Sequence, residues 1–240
     1  MASSIYVQNR ELVTPGQLLG EGKLTITTPT TMYSLDSKYY SAVVGLVDIE
    51  GDKIGVIPLE GFYYPKVGDV VIGIITSVGI SSWEVDIRAP HSAVLYASDF
   101  LNRPVNPGRE ALSDYLDIGD VVLAKVESVG RGRVTTLTVR GKGFGKVSKG
   151  SLVEIGSAKI PRVIGKKGSM LQLLLNECKC EITVAQNGRI LISNCPNKDF
   201  EEVVIMAIKK IEREAHIPGL TDRIKEFIIK EKVRRGLFGG

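Results

Sequence analysis

Apolar residues recur at two different spacings along this chain of 240 residues. Up to about residue 149 the apolar runs are short and rich in β-branched residues, a pattern that is typical of β-strands. Beyond that point apolar positions at helical spacing appear beside two further strands. The pattern therefore predicts a multidomain protein in which β structure is followed by an α+β part.

Residues 1–64 form the first predicted domain, a small β-barrel-like unit. Two β-rich runs, 43–49 and 53–59, flank Glu50-Gly51-Asp52, which predicts a hairpin. A segment this short buries little apolar surface by itself. We therefore expect it to pack on a neighbouring domain or on another protein.

Residues 65–149 contain two stretches of similar sequence. The run that begins at Gly68-Asp69 and closes at Gly79 returns at Gly119-Asp120 and closes at Gly130. The repetition is compatible with a tandem repeat, but the segments after the two runs differ, so we interpret them as two long strands of one barrel. Three further strands are predicted at 83–88, 93–96 and 133–140, which together indicate a five-stranded oligonucleotide-binding barrel.

The third predicted domain, residues 150–217, is arranged around the loop Gly165-Lys166-Lys167-Gly168. A helix follows at 169–177, so the loop lies at a helix N-terminus, where backbone amides are unpaired and the helix dipole is positive. Glycine lets a phosphate approach closely, and the lysines add charge without fixing a base. The loop is predicted to clamp a sugar-phosphate chain; the alternative is a surface turn with two solvated lysines.

The elements around this loop follow the order strand, helix, loop, helix, strand, strand, helix. The two strands 181–185 and 189–193 meet at Asn187-Gly188, a strong hairpin signal. The last helix carries one apolar stripe: Phe200, Val203, Val204, Ala207, Ile208 and Ile211. After it, residues 218–240 predict a basic helical tail.

Charge and composition narrow the possible functions. The net charge is +4, with residues 1–64 net acidic and the rest net basic, so a polyanion is expected to bind the later part. No apolar run approaches the ~20 residues of a membrane span, and the N-terminus lacks the pattern of a secretory signal. The sequence therefore predicts a protein without membrane attachment.

Cysteine and carboxylate patterns argue against catalysis and metal binding. Three cysteines, an odd number in a long chain, favour a reducing cytosol and hence a cytoplasmic location. With two histidines and no CxxC pair we expect no metal site and no cofactor, and Cys180 is interpreted as a core position. The densest acids, Asp114, Asp117 and Asp120, lie in a turn-rich connector, where a solvated or capping role is expected rather than nuclease chemistry.

Two stretches resemble families of nucleic-acid-binding domains. The run from Gly68 to Gly73 and the ending 136–140 resemble an S1 domain, although Ser81 and Glu84 stand where S1 domains usually carry aromatic residues. That resemblance implies base stacking on one aromatic residue and phosphate contacts from four arginines: Tyr96, Arg88, Arg131, Arg133 and Arg140. The glycine loop and its flanking elements resemble a type I KH domain. This implies single-stranded RNA contacts from Ile164, Gly165, Lys166, Lys167, Gly168 and, at the start of a strand, Arg189.

The whole chain resembles the S1/KH cap family of the archaeal exosome. The opening at 13–19 and the order of small β domain, S1 and KH carry the likeness. It implies a non-catalytic subunit, three copies of which cap a ring of RNase PH-like subunits, alone or with other cap subunits. The cap would bind single-stranded RNA with A-rich 3′ tails and guide it to 3′-to-5′ phosphorolytic sites. Its docking residues would be Val13, Pro15, Gly16, Leu18 and Leu19.

Two other functions remain open on sequence grounds. S1 and KH domains also occur in transcription elongation or termination factors, but those carry two KH domains in tandem, and residues 218–240 are too few for a second. Bacterial polynucleotide phosphorylase places KH before S1, behind catalytic domains that are not recognisable here. No Ser/His or Cys/His pairing indicates a nucleophilic enzyme.

Overall fold

The structure, a computed structural model, describes residues 3–28, 31–106, 109–130, 134–215, 217 and 219–237. The chain divides into two compact units, Met1–Gly61 and Phe62–Gly240. Across the described ranges, no helix has both the length and the apolar character needed to cross a membrane.

The first unit consists of two four-stranded sheets with the orders β1-β3-β6-β5 and β2-β7-β8-β4. Its strands are β1 (Ser4–Ile5), β2 (Leu12–Val13), β3 (Leu18–Glu21), β4 (Thr25–Ile26), β5 (Met32–Leu35), β6 (Lys38–Ser41), β7 (Gly45–Glu50) and β8 (Lys53–Pro58). The predicted hairpin is confirmed, because β7 and β8 pair antiparallel and close with Glu50 opposite Lys53. Val47, Ile54 and Val56 are fully buried in the core of this unit.

The second unit begins with the predicted barrel. Its strands are β9 (Val70–Val78), β10 (Ser82–Asp86), β11 (Ala93–Tyr96), β12 (Val121–Val129), β13 (Thr135–Thr138) and β14 (Gly145–Val147). The two similar stretches are β9 and β12, which pair antiparallel with Ile74 opposite Val121. This pairing confirms that they are two strands of one barrel and not a tandem repeat. Pairing of β13 with both β11 and β12 closes the five strands, and β14 adds an unpredicted pairing along β12.

Trp83 anchors the interior of the barrel. Its side chain is fully buried, and its indole N–H donates a hydrogen bond of 2.9 Å to the Leu116 carbonyl oxygen. The ring also meets Phe100, in the short helix α1 (Ala97–Phe100), edge to face with 5.3 Å between centroids. An unpaired buried indole N–H is costly, so the bond from Trp83 holds the β11–β12 connection against the core.

The KH domain has the predicted type I order. It contains β15 (Ser151–Glu154), α2 (Ile160–Ile164), α3 (Ser169–Cys178), β16 (Glu181–Val184), β17 (Arg189–Ser193) and α4 (Lys198–Glu214). The sheet is antiparallel with the order β15-β17-β16. Helix α4 begins at an Asn197 cap, whose side-chain oxygen accepts a 3.0 Å bond from the Phe200 N–H.

The basic tail is a helix, α5 (Leu220–Arg234), that belongs to the KH core. Ile224 and Ile228 are fully buried in the same apolar cluster as α3 and α4. Near its end, Lys232 Nζ lies 3.0 Å from a Glu177 carboxylate oxygen and donates to the Glu177 carbonyl oxygen at 2.9 Å. Several of the tail's basic side chains are therefore engaged inside the domain.

Cys180 and Cys195 form a disulfide that joins the residue before β16 to a residue after β17. Cys180 is buried, as predicted, but its bond to Cys195 was not predicted. The third cysteine, Cys178, has a free thiol, and burial raises its pKa to about 11.

Candidate nucleic-acid interface

The glycine loop has backbone conformations that residues other than glycine adopt only with strain. Gly165 has φ 75° and ψ 171°, Lys167 has φ 54°, and Gly168 has φ 80°. A Cβ on Gly165 would lie 2.6 Å from the Met170 nitrogen, closer than real Cβ atoms come. The loop therefore turns sharply from α2 into α3, and its glycines leave the backbone accessible to a ligand.

The cations of the loop are exposed and unengaged. Lys166 and Lys167 point into solvent, and Arg162 is exposed one turn earlier in α2. Within the described part of the chain, none of these three side chains has a carboxylate partner or a hydrogen bond. Ile164 is half-buried and packs on the KH core beside the loop. Positive charge at a helix N-terminus, free of intramolecular partners, is suited to binding phosphate.

Arg189 does not lie on an open surface, which corrects its prediction as an RNA contact. Its side chain is 3% exposed. The guanidinium donates to the Asp86 backbone oxygen at 2.6 Å and to the carboxylates of Asp86 and Glu154 at 2.5 and 2.8 Å. All these partners belong to β10 of the barrel or to β15, so Arg189 joins the S1 and KH domains.

Asn187 completes this contact. It is buried in the β16–β17 turn, and its amide group donates to the carbonyl oxygens of Ile72 and Ile87 at 2.8 and 3.1 Å. The neighbouring Gln186 exchanges hydrogen bonds with Val70 of β9, both of 2.9 Å. The turn between the last two KH strands is thus seated on the barrel, a role that the Asn-Gly hairpin signal did not disclose.

Arg88 also serves the contact between the two domains. Its Nη1 donates to the carbonyl oxygens of Ile155 and Gly188 at 2.6 and 3.2 Å. The S1 resemblance implied a phosphate contact for Arg88, whereas in the structure its guanidinium is engaged between the two domains. Burial disfavours the ionised form of Asp86 nearby, but the Arg88 N–H and the Arg189 guanidinium outweigh it and hold the Asp86 pKa below its usual value.

The other predicted S1 residues have different environments. Tyr96 ends β11 opposite Ser82 and is 47% exposed, so its ring is available for stacking. Arg140 is exposed, with its Nε 2.9 Å from an Asp99 carboxylate oxygen. Arg131 and Arg133 lie outside the described residues. Tyr96 and Arg140 therefore remain candidates for RNA contacts.

The predicted docking residues of the first unit separate into two groups. Val13 and Leu19 are fully buried in its core, which corrects their prediction as partner contacts, because a buried side chain cannot reach another protein. Pro15 and Gly16 are exposed in a turn and Leu18 is half-buried, so these three remain predictions. Apolar side chains that sequence reasoning passed over are exposed in this unit: Tyr6, Leu12, Tyr33, Leu35 and Ile57.

Arg162 was also missed as a candidate. The signal was present in the sequence, since Arg162 lies four residues before Lys166 and both flank the apolar pair Val163-Ile164. Among the described residues, no group of three or more His, Cys, Asp or Glu side chains is placed to hold a metal ion. The positively charged loop is thus the best-defined candidate site.

Comparison with known families places a distinct model on each domain. The first matches residues 10–60 and is described as the exosome RNA binding protein RRP4 N-terminal domain. The second, the RRP4 S1 domain, matches residues 63–128, and the third, the KH domain, matches residues 151–215. Together these three models account for most of the chain.

Full-length relatives carry the same name. The chain is 49% identical to the exosome complex component Rrp4 of Sulfurisphaera tokodaii, over 96% of this chain and 93% of that protein. It is 48% identical to Rrp4 of Saccharolobus solfataricus, over 100% and 96%. A crystal structure of an exosome complex RNA-binding protein matches with a TM-score of 0.70 and 49% identity, covering 73% of this chain and 99% of that one.

Proposed function

Because this chain belongs to the Rrp4 family of exosome components, we propose that it is a non-catalytic subunit that binds single-stranded RNA for the ribonuclease of that complex. The observation that carries the proposal is the glycine loop of the KH domain. Exposed lysines without intramolecular partners stand there at the start of α3. Such a loop holds the sugar-phosphate backbone and leaves the bases to other contacts.

The finer parts of the proposal concern the assembly. Three copies would cap a ring of RNase PH-like subunits, alone or with other cap subunits, in the cytoplasm. Exposed apolar side chains of the first unit support a docking role there, since such groups on a small acidic unit gain from burial against another protein. Tyr96, exposed on the barrel, supports stacking of bases near the opening of the ring.

The guiding role follows from this arrangement. The cap would capture A-rich 3′ tails and pass them to phosphorolytic sites that act in the 3′-to-5′ direction. Contacts that track phosphates without reading bases allow a strand to slide, because successive nucleotides offer equivalent charges. A subunit of this kind raises the local concentration of RNA at the ring and leaves cleavage to its partners.

Charge reversal in the loop tests the RNA-binding role. In the double variant Lys166→Asp, Lys167→Asp we expect affinity for single-stranded RNA to fall by tenfold or more, because two phosphate contacts become repulsive. The dependence of log affinity on log salt should flatten by roughly 1.4, about 0.7 for each phosphate contact. Fluorescence anisotropy with a labelled RNA across a salt series measures both quantities.

The matched control reverses two exposed lysines of α4 and α5 that do not line the cavity beside the loop, Lys198→Asp and Lys230→Asp. It changes the net charge equally, away from the loop. If both double variants lose affinity alike, the effect is one of overall charge and the loop is not the site. Unchanged affinity and slope in the loop variant would contradict the proposed function directly.

A further inference from the structure

A cavity of about 340 Å³ lies beside the glycine loop, between it and the beginning of α5. One wall is formed by α2 and the loop, the other by Ile217, Gly219 and the first turn of α5. Its volume falls in the range of roughly 300–1,000 Å³ that small-ligand sites occupy. The principal lining residues are Arg162, Gly165, Lys166, Met170, Leu220 and Thr221.

The two walls differ in charge. Arg162 and Lys166 place positive charge on the loop side, and neither has a partner among the described residues. On the helix side, Thr221 and Asp222 are exposed and, within the same described ranges, likewise show no hydrogen bond or ion pair. A ligand that spans the cavity therefore meets cations at one end and a hydroxyl and a carboxylate at the other.

Apolar surface lies between these ends. Ile217 is 41% exposed, Leu220 is half-buried, and Met170 forms a buried floor. A planar base can lie on such a surface, while its phosphate lies against Arg162 and Lys166. The 2′-hydroxyl, which both donates and accepts hydrogen bonds, suits Thr221 and Asp222.

We propose that this cavity seats one nucleotide of the RNA that the glycine loop holds, as a subsite added to the KH domain by α5. The inference rests on the proposed function, since Gly165 and Lys166 belong to both the loop and the cavity. RNA is favoured over an acidic peptide because phosphate, base and 2′-hydroxyl match the cations, the apolar surface and the Thr221–Asp222 end in turn, whereas a second peptide carboxylate at that end would be repelled by Asp222. Helix α5 thus lengthens the RNA footprint, although several of its own basic side chains are engaged elsewhere.

The test fills the cavity without changing its charge. Thr221→Trp places an indole at an exposed position in the first turn of α5. Ile229→Trp is the control, a neutral exposed position on the same helix away from the cavity. Anisotropy titrations compare a tetranucleotide, which the loop alone can clamp, with an RNA of about twice that length.

We expect Thr221→Trp to lower the affinity for the longer RNA by about three- to tenfold, which corresponds to the loss of one nucleotide contact. The tetranucleotide should bind as in the unaltered protein, and Ile229→Trp should match the unaltered protein on both RNAs. The loop variant Lys166→Asp, Lys167→Asp should weaken both lengths. Photocrosslinking of the longer RNA, carrying 4-thiouridine, should label the peptide around Leu220 in addition to the loop.

The outcomes separate the inference from the proposed function. If the loop variant weakens RNA binding but Thr221→Trp leaves both lengths unchanged, the cavity subsite is wrong and the loop stands. If the loop variant itself changes nothing, the proposed function fails. If Thr221→Trp lowers the affinity for AMP or an acidic peptide but not for the longer RNA, the cavity binds a free nucleotide or a peptide and the inference is overturned.

Discussion

At the scale of single residues, the two glycines of the loop are not equivalent. Gly165 combines φ 75° with ψ 171°, a region of backbone space that is essentially restricted to glycine. Gly168 has φ 80° and ψ 9°, the left-handed helical region that other residues enter at moderate cost. A Cβ on Gly165 would also strike Met170, whereas one on Gly168 meets no atom within 4 Å.

We therefore expect Gly165→Ala and Gly168→Ala to differ in stability. Gly168→Ala should lower the free energy of unfolding by about 1 kcal/mol, the cost of a left-handed alanine. Gly165→Ala should lower it by about 3 kcal/mol or more, because strain and a backbone clash add. Urea unfolding followed by circular dichroism measures both, and equal losses would contradict the geometry of the loop.

At the scale of elements, the KH domain is stabilised by contacts other than the backbone hydrogen bonds within its helices and its sheet. The disulfide joins Cys180 to Cys195 at the open end of the β16–β17 hairpin. Helix α5 closes the apolar core through Ile224 and Ile228. The Lys232 ammonium donates to the carbonyl oxygen of Glu177, near the end of α3, which satisfies an otherwise unpaired helix carbonyl.

The cysteines give this arrangement a chemical test. Without reductant, native protein should take up no iodoacetamide at neutral pH, because Cys178 is buried with its pKa raised to about 11 and the other two thiols are bonded. Denatured, unreduced protein should take up one group, at Cys178, and reduced denatured protein three. Mass spectrometry counts the groups; alkylation of Cys180 or Cys195 without reduction would show that the disulfide is absent.

At the scale of the whole molecule, the chain consists of two compact units, and we propose that one contacts protein and the other RNA. The S1 and KH domains lie in one compact unit, joined through Arg88, Asn187 and Arg189. The first unit has its own apolar core and its own exposed apolar side chains. These observations support the proposal that the first unit docks on the ring and the second binds RNA.

Leu12→Glu tests that division. Leu12 is 56% exposed beside the buried Val13, so a charge there should leave the fold intact and disturb a docked surface. We expect co-purification with the ring subunits to fall by about tenfold or more, while RNA affinity of the isolated protein stays unchanged. Ile229→Glu on α5 is the control and should co-purify with the ring subunits as the unaltered protein does. Reduced co-purification in both variants, or in neither, would contradict the proposed division.

The fold was predictable because its signals are local. β-branched runs bounded by Gly-Asp turns indicated β9 and β12, and the Asn187-Gly188 pair indicated the hairpin between β16 and β17. The glycine loop was likewise evident from its spacing before an apolar helix. In each case the residues that decide the structure are neighbours along the chain.

The parts that could not be predicted depend on distant partners. Arg189 and Asn187 are buried against carbonyl oxygens and a carboxylate about 100 residues earlier, and nothing near them in sequence announces that. Cys180 and Cys195 pair because two strands bring them together. Val13 and Leu19 were predicted as docking residues because the family resemblance rested on the whole opening 13–19, and a resemblance does not say which of its side chains face the core.

The contact of the Gln186-Asn187 turn with the barrel fixes the position of the KH domain relative to the S1 domain. Since the KH turn exchanges hydrogen bonds with β9, the glycine loop and the exposed Tyr96 keep one separation instead of swinging on a linker. On the proposed function, a strand shorter than that gap would contact either the loop or Tyr96, and a longer strand would contact both. The length of the unpaired RNA would then affect how tightly the protein binds it.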